Sequence, residues 1–442
     1  MALFPRSARC PVPFRVPGPG HALAAGLALL VVGVVWSGPV HGDPLPESLD
    51  LKKFRSRHYD VVTNAEPRKV KEITEHMDRV YRAYLNQIGR AGFHRRFNNR
   101  MKLYVLNDRR DYMTLLESQG INGAGTGGMF FAKGTDVSLA SYVVGRSSRR
   151  MYATLQHEGF HQFAYMMIGE LPVWVNEGLA EYFGDAALVD GRLELGQVGS
   201  DRVMYLRGGR KRDALSSFDK LLTMSHEAWR QRVQVGGIGA RLLYDQSWSI
   251  VHFLVHADGG RYRKPFMAYL RYLGRGIDSA KAFERAFGAD NFDAFEKRWG
   301  DYVDKLNPNP AVVAHTRLSV LAEGLQALAE RHREPASLAE LQRELKRIKF
   351  ETTFGSHGAE TTYSADDDEL FEPPHGHAPG VVTDMTIEAN PVDGLPPIVT
   401  VSGLPRPVRI KWDRDVEGNL VYEVVYERAE DARRSPAKAD PD

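Results

Sequence analysis

The sequence predicts an α+β fold in which a small mixed β-sheet and a metal-binding helix precede a helical half. Three observations predict it. Apolar and polar residues alternate as in strands early in the chain, at residues 59–63 and 101–106. Helical spacing dominates residues 147–306. Alternation returns at residues 398–426, which predicts a small β-rich appendage behind a C-terminal helical hairpin.

The first 42 residues have the plan of a secretory signal peptide. Arg6, Arg9 and Arg15 precede an uncharged apolar run at residues 22–36, and small residues allow cleavage after Gly42. The run is short for a membrane span, which needs about 20 apolar residues. We therefore expect an exported protein, periplasmic or extracellular, with an uncleaved N-terminal anchor as the alternative.

Composition narrows the class of protein further. The chain has 442 residues, of which 43% are hydrophobic and 26% charged, as in globular proteins of two or three domains. Removing the leader takes away three Arg and no acid, which leaves a net charge of about −1. Nothing in this charge suggests nucleic acid, whose binding needs a strongly basic face. Cys10 is the only cysteine and lies in the leader, so the exported part has neither disulfides nor a Cys-rich zinc site.

These patterns divide the chain into four parts. They are a signal peptide or anchor at residues 1–42, a metal-binding domain at 43–306, a C-terminal helical hairpin and β-rich region at 311–430, and a disordered tail at 431–442. The Asn-Pro-Asn-Pro run at residues 307–310 marks the boundary between the two domains.

The first half of the metal-binding domain alternates between strands and helices. Val70, Ile73 and Met77 share one face of a predicted helix. An edge strand just ahead of the metal-binding helix is a place where an extended peptide can add by main-chain hydrogen bonds. The predicted elements are strands at 59–63, 101–106, 129–133 and 136–140, with helices at 66–88 and 110–119 and the metal-binding helix from residue 147.

The second half is predicted to be helical. The basic run at residues 207–213 is predicted to be a solvated turn. The acidic, Pro- and Gly-rich residues 363–380 are predicted to be a flexible loop. Helices are predicted at 215–222, 226–233, 239–255, 265–273, 277–287, 291–306, 315–331 and 337–348, and strands at 350–354, 398–402, 408–412 and 420–426.

A histidine motif indicates a metal site with a general base beside it. His157 and His161 stand four residues apart, so on a helix they lie about 40° apart around the axis and about 6 Å apart along it. Both imidazoles can then reach one ion. Glu158 lies about 60° round the helix from His161, which suits a general base at a metal-bound water better than a third ligand.

A second helix supplies the missing ligand. Catalytic zinc usually keeps three protein ligands and leaves its fourth position to water. The Gly169–Pro172 turn breaks the first helix, and the following segment doubles back with Glu177 a little over one turn in. We predict Glu177 as the third ligand of one zinc ion per chain. Glu181, one turn further, can accept the other ring N–H of a ligand histidine.

The motif HEGFH followed by WVNEGLAEYF resembles the gluzincin metallopeptidases. Within them it is similar to the peptidase MA-like group, which includes aminopeptidase-N-type enzymes and bacterial envelope proteins of unknown function. The resemblance covers residues 51–306 and implies a gluzincin-type catalytic domain with the ligands and base given above, and with Glu181 as the hydrogen-bond partner of a ligand histidine. It also implies a Tyr from the helical half that hydrogen-bonds the developing oxyanion, for which Tyr244 stands at a comparable distance beyond the third ligand.

The chain departs from that family at the edge strand. Aminopeptidases of the group carry Gly-x-Met-Glu-Asn there, and the Glu holds the free amine of the substrate. This chain has Gly127-Gly128-Met129-Phe130-Phe131, with Phe130 in place of the Glu. The sequence therefore favours an endopeptidase over an aminopeptidase.

Two further histidine pairs are predicted not to bind metal. His252 and His256 share a helix face but lack an acidic partner motif, which favours core or surface positions. His375 and His377 lie in the acidic loop without a carboxylate or Cys arranged to close a coordination shell.

The sequence thus predicts a zinc metallopeptidase that acts on a peptide or protein substrate, with Glu158 activating the zinc-bound water. Cell-envelope contacts are the other class of partner, and the sequence does not fix the oligomeric state. Two alternatives stay open. One is an envelope scaffold with a non-catalytic zinc site, which is disfavoured because structural sites are closed by four protein ligands. The other is a zinc hydrolase of a non-peptide amide or ester.

Overall fold

The protein is a mixed α+β structure, seen in a computed structural model, and its buried apolar residues form three clusters. The fold class predicted from the sequence is therefore confirmed at this level. Predicted features at residues 1–33, the cleavage point after Gly42, His377 and the tail at 431–442 lie outside the described residues. The structure describes residues 34–36, 45–89, 100–133, 136–143, 148–189, 191–288, 292–354, 361–375, 382–415 and 418–427.

A six-stranded mixed sheet organises the first domain, in the order β1-β5-β6-β4-β3-β2. β3, β4 and β6 run parallel, whereas β5 is antiparallel to β6 and β2 to β3. β3 and β4 begin and end where the sequence predicts. The strands are β1 (Val34–Trp36), β2 (Lys52–Arg55), β3 (Tyr59–Thr63), β4 (Met101–Leu106), β5 (Gly128–Lys133) and β6 (Asp136–Tyr142).

The strand beside the metal-binding helix is not a fully open edge. β6 comes just before that helix but lies inside the sheet, and β5 lies outside it. Val34–Trp36, from the predicted leader, pairs in parallel with Phe131–Lys133 of β5. Within the described residues, β1 therefore leaves Gly128 to Phe130 of β5 unpaired on this side.

Helices cover both faces of the sheet because its residues alternate between two cores. Val61 and Leu103 pack on one face with α1 and α3, while Val62 and Tyr104 pack on the other with α2. This places the metal-binding helix flat against one face of the sheet. The helices are α1 (Pro67–Gln87), α2 (Arg109–Ser118), α3 (Ser148–Met167) and α4 (Val173–Gly184).

The helical half follows a short hairpin of β7 (Ala187–Val189) and β8 (Arg192–Glu194). The prediction of a solvated turn at residues 207–213 is wrong, because residues up to Lys211 end a helix, α5. Arg207 and Arg210 are held there by the end of α11, where Arg210 pairs with Asp304 at 3.1 Å. The helices are α5 (Ser200–Lys211), α6 (Phe218–Leu222), α7 (His226–Val235), α8 (Gly237–Gly260), α9 (Arg263–Leu273), α10 (Ser279–Phe287) and α11 (Phe292–Lys305).

The C-terminal domain has its own core, in which α12 packs on a four-stranded antiparallel sheet of order β11-β12-β13-β14. The predicted loop at residues 363–380 is partly wrong, since its start lies in strand β10 and Asp368–Phe371 form a 3₁₀ helix that buries Leu370. The elements are α12 (Pro310–Ala329), α13 (Leu338–Arg347), β9 (Glu351–Phe354), β10 (Thr361–Ser364), β11 (Asp384–Glu388), β12 (Ile398–Ser402), β13 (Val408–Arg414) and β14 (Leu420–Tyr426).

Among the described residues, no helix combines the length and the apolar character that crossing a membrane requires.

Candidate metal centre

Two antiparallel helices bring three side chains to one point. α3 carries His157 and His161, and α4 returns beside it with Glu177. The two Nε2 atoms lie 3.1 Å apart, and Glu177 Oε2 lies 3.6 Å from that of His157 and 3.8 Å from that of His161. The three residues predicted as ligands from the sequence therefore converge.

The spacing of these atoms suits one metal ion. Two ligand atoms bonded at about 2.0–2.1 Å in a tetrahedral shell lie about 3.3 Å from each other. The Glu177 side chain is fully buried, and neither of its oxygens has a hydrogen-bond partner among the described residues. A buried carboxylate without a partner is costly. Because a cation between the three side chains would remove that cost, the group can hold a metal ion.

Glu181 lies behind His157, as predicted. Its Oε1 is 3.1 Å from Nδ1 of His157, the ring nitrogen that faces away from Glu177. Although burial lowers the pKa of His157, the carboxylates of Glu177 and Glu181 raise it to about 10. The ring is thus drawn toward carboxylates on both of its nitrogens, which fixes its orientation.

Glu158, beside His157 on α3, contacts the edge of the sheet. Its Oε2 accepts the backbone N–H of Phe130 in β5 at 3.0 Å. Burial raises the pKa of Glu158 to about 7, although the neighbouring His157 and the Phe130 N–H act in the opposite direction. A carboxyl with a pKa near neutrality can both accept and return a proton.

Tyr244 lies in the first part of α8, the helix that packs most extensively on α4. Its side chain is fully buried against Trp229, and its hydroxyl has no hydrogen-bond partner among the described residues. Burial raises the pKa of Tyr244 well above its ordinary value, and the negative charge of Glu177 raises it further. The hydroxyl therefore stays protonated as a donor near the metal-binding group.

Two glycines allow close helix packing, one between α4 and α8 and the other between α3 and α1. A side chain on Gly178 would lie 2.5 Å from the backbone oxygen of Ser247 in α8. A side chain on Gly159, between the two histidines, would lie 2.9 Å from the Met77 side chain in α1. Gly159 and Gly178 each adjoin a site residue, so close helix packing sets the position of Glu158 and Glu177.

Gln156 ties the two metal-binding helices together. Its amide donates to the backbone oxygens of Phe183 at 2.7 Å and Ala186 at 3.1 Å, at the end of α4. Its oxygen contacts His76 of α1 at 3.0 Å. Gln156 was not predicted as a site residue from the sequence, although its place beside His157 in the motif is a signal.

Arg202 also contacts the site, and it was not predicted as a site residue from the sequence. It comes from α5, is 9% exposed, and contacts Glu181 directly. Its Nη1 also pairs with Asp245 of α8 at 2.8 Å. No short motif links these residues, because Arg202 follows Glu181 by 21 positions and lies on a different helix.

The other histidines have other surroundings. His252 is buried, with Nδ1 2.6 Å from the Tyr302 hydroxyl, and the centroid of its ring lies 4.4 Å from that of the tilted His256 ring. His256 contacts the hydroxyl of Tyr182 at 2.9 Å. His375 is exposed in the C-terminal domain.

Comparison with known proteins adds one similarity. Residues 151–277, less than a third of the chain, match the model of a family described as a protein of unknown function (DUF1570). The matched segment runs from within α3 to the end of α9 and contains all three ligand side chains, Glu158 and Tyr244. No curated protein matches the chain.

Proposed function

We propose that the protein is a zinc-dependent hydrolase of the gluzincin type that cleaves peptide bonds, as an endopeptidase rather than an aminopeptidase. The observation that carries the proposal is the convergence of two imidazoles with a buried, otherwise unpartnered Glu177 carboxylate. Two His and one Glu form a donor set of catalytic zinc sites, which leave a position open for water. Among the described residues, no fourth His, Cys, Asp or Glu joins this group, which favours catalysis over a closed structural site.

Bound zinc would supply Lewis acidity, which activates water and polarises the carbonyl of a substrate. The roles of the side chains follow from their positions. Glu158 adjoins the ligands and is held by the Phe130 N–H, so it accepts the proton of the attacking water and returns it to the leaving amine. Tyr244, a protonated buried donor, stabilises the oxyanion that forms on the substrate.

The edge strand supports the preference for an endopeptidase. An extended substrate would pair with β5 at Gly128 to Phe130, beside Glu158. Phe130 has no charged group to hold a free amine, and its backbone N–H already holds the base. Because Val34–Trp36 covers the rest of β5, removing the leader would lengthen the edge that a substrate can use.

A digest tests the proposal. The exported chain, purified with zinc, is incubated with denatured proteins, and the products are sequenced by mass spectrometry. Internal cuts that disappear on chelation and in the Glu158→Gln variant are expected. Release of single N-terminal residues would contradict the endopeptidase assignment. Cleavage of amide or ester reporters without cleavage of any peptide would instead favour a hydrolase of non-peptide substrates.

A further inference from the structure

Glu181, which contacts His157, is itself contacted by a side chain from a third helix. Arg202 of α5 contacts Glu181, and it pairs with Asp185 through Nε and with Asp245 through Nη1, each at 2.8 Å. One guanidinium thus holds three carboxylates, two at the end of α4 and one in α8. Its planar, five-donor shape allows this, whereas a Lys ammonium is a single point of charge.

The charges of this cluster nearly balance. Arg241 supplies a second guanidinium, with Nε 3.0 Å from Asp245. Three carboxylates, of which only Asp185 is partly exposed, and two guanidiniums leave one net negative charge. Glu181 directs it at Nδ1 of His157. Buried carboxylates need a paired cation, so Glu181 depends on Arg202 to lie charged beside the ring.

We propose that Arg202 is a positioning residue of the metal centre. It holds the Glu181 carboxylate against His157, so that the ring presents Nε2 to the ion. Through Asp245, the residue after Tyr244, it also fixes α8 against α4. The inference rests on the proposed function and deepens it, because it extends the centre to a helix that carries no ligand.

Metal affinity tests the role of Arg202. Outer-shell partners of ligand histidines typically affect metal affinity by 10- to 100-fold. We expect zinc affinity, measured by competition with a chromophoric chelator, to fall about 10- to 100-fold in Arg202→Met. Arg202→Lys should recover only part of it. Arg210→Met is the matched control, because Arg210 also lies on α5 and pairs with an acid, Asp304, but away from the site.

A double-mutant cycle separates this role from a general effect on packing. Glu181→Gln removes the carboxylate through which Arg202 acts. The variant with both Arg202→Met and Glu181→Gln should bind zinc no more weakly than the weaker single variant. The visible absorption of bound Co(II) should change alike in both single variants and stay unchanged in Arg210→Met. If Arg202→Met does not fold by circular dichroism, the cycle is run with Arg202→Lys.

Three results would overturn the role of Arg202. They are an unchanged zinc affinity in Arg202→Met, an unchanged affinity in Arg202→Lys, and losses that multiply in the double variant. A failure of the unchanged protein to bind zinc is distinguishable from these. It would overturn the proposed function, and the role of Arg202 with it.

Discussion

The backbone N–H of Phe130 donates a hydrogen bond to Glu158 Oε2 over 3.0 Å, which links the edge strand of the sheet to the metal-binding helix. The same residue stands where similar aminopeptidases carry an amine-binding Glu. In the proposed mechanism, the edge strand therefore orients the base of the chain instead of the amine of a substrate. This contact connects the fold to the proposed chemistry.

Glu158→Gln should abolish hydrolysis and keep the metal. The Gln oxygen can still accept the Phe130 N–H, so the helix stays in place, but the amide cannot take a proton from water. General-base catalysis contributes about 10²–10⁴-fold, and kcat should fall by at least that factor. Steady-state assays and metal analysis check both halves, with exposed Glu170→Gln as the control. Undiminished turnover would exclude Glu158 as the base.

Tyr244→Phe should lower kcat with little effect on folding. Its hydroxyl has no hydrogen-bond partner among the described residues, so its loss leaves no buried partner unsatisfied. Removing one oxyanion donor typically costs about 10²–10³-fold in kcat. Tyr272→Phe, at a half-buried position of α9, serves as the control. Equal kcat values for Tyr244→Phe and the unchanged protein would remove Tyr244 from the mechanism.

Gly178→Ala should destabilise the protein and reduce activity. The added methyl group would lie 2.5 Å from the Ser247 backbone oxygen, so α4 and α8 must move apart. Overpacking of this kind costs about 1–3 kcal/mol in the free energy of unfolding. Gly239→Ala is the matched control, because no atom lies within 4 Å of its added methyl group. Urea unfolding with equal midpoints for the two variants would contradict the packing argument.

Acid should destabilise the fold through His252. Burial and the nearby His256 lower the pKa of His252 to about 3, below its ordinary value of 6.5. Between these values the unfolded chain binds a proton that the folded chain does not. The contribution of His252 to the free energy of unfolding is therefore fully present above pH 6.5. It falls as the pH decreases, and about 2 kcal/mol is lost at pH 5.

Urea unfolding at pH 8 and pH 5 measures that dependence. His252→Gln should reduce the difference between the two pH values by about 2 kcal/mol. His375→Gln, at an exposed position, should leave it unchanged. A difference as large in His252→Gln as in the unchanged protein would place the acid sensitivity elsewhere.

The sequence predicts the convergence of the three candidate ligand side chains because their geometry is local. His157 and His161 share one helix face, and Glu177 follows a single short turn, so helix periodicity alone brings them together. Strands β3 and β4 are equally local, since each is a short apolar run whose bounds follow from its own residues.

Features that depend on residues far apart in the chain cannot be predicted from local sequence patterns. Arg202 joins the site only because α5 packs beside α4 and α8. The basic run predicted as a turn is helical because Arg207 and Arg210 bind groups in α11, about 95 residues away. The pairing of Val34–Trp36 with β5 likewise joins segments that no local pattern relates.

Metal content measured on the purified protein tests the central claim most directly. Inductively coupled plasma mass spectrometry should find about one zinc per chain in the unchanged protein. Glu177→Gln should carry much less zinc while keeping its helical circular dichroism spectrum. A folded, unchanged protein with zinc no higher than in a metal-free control protein, even after incubation with zinc, would contradict the account.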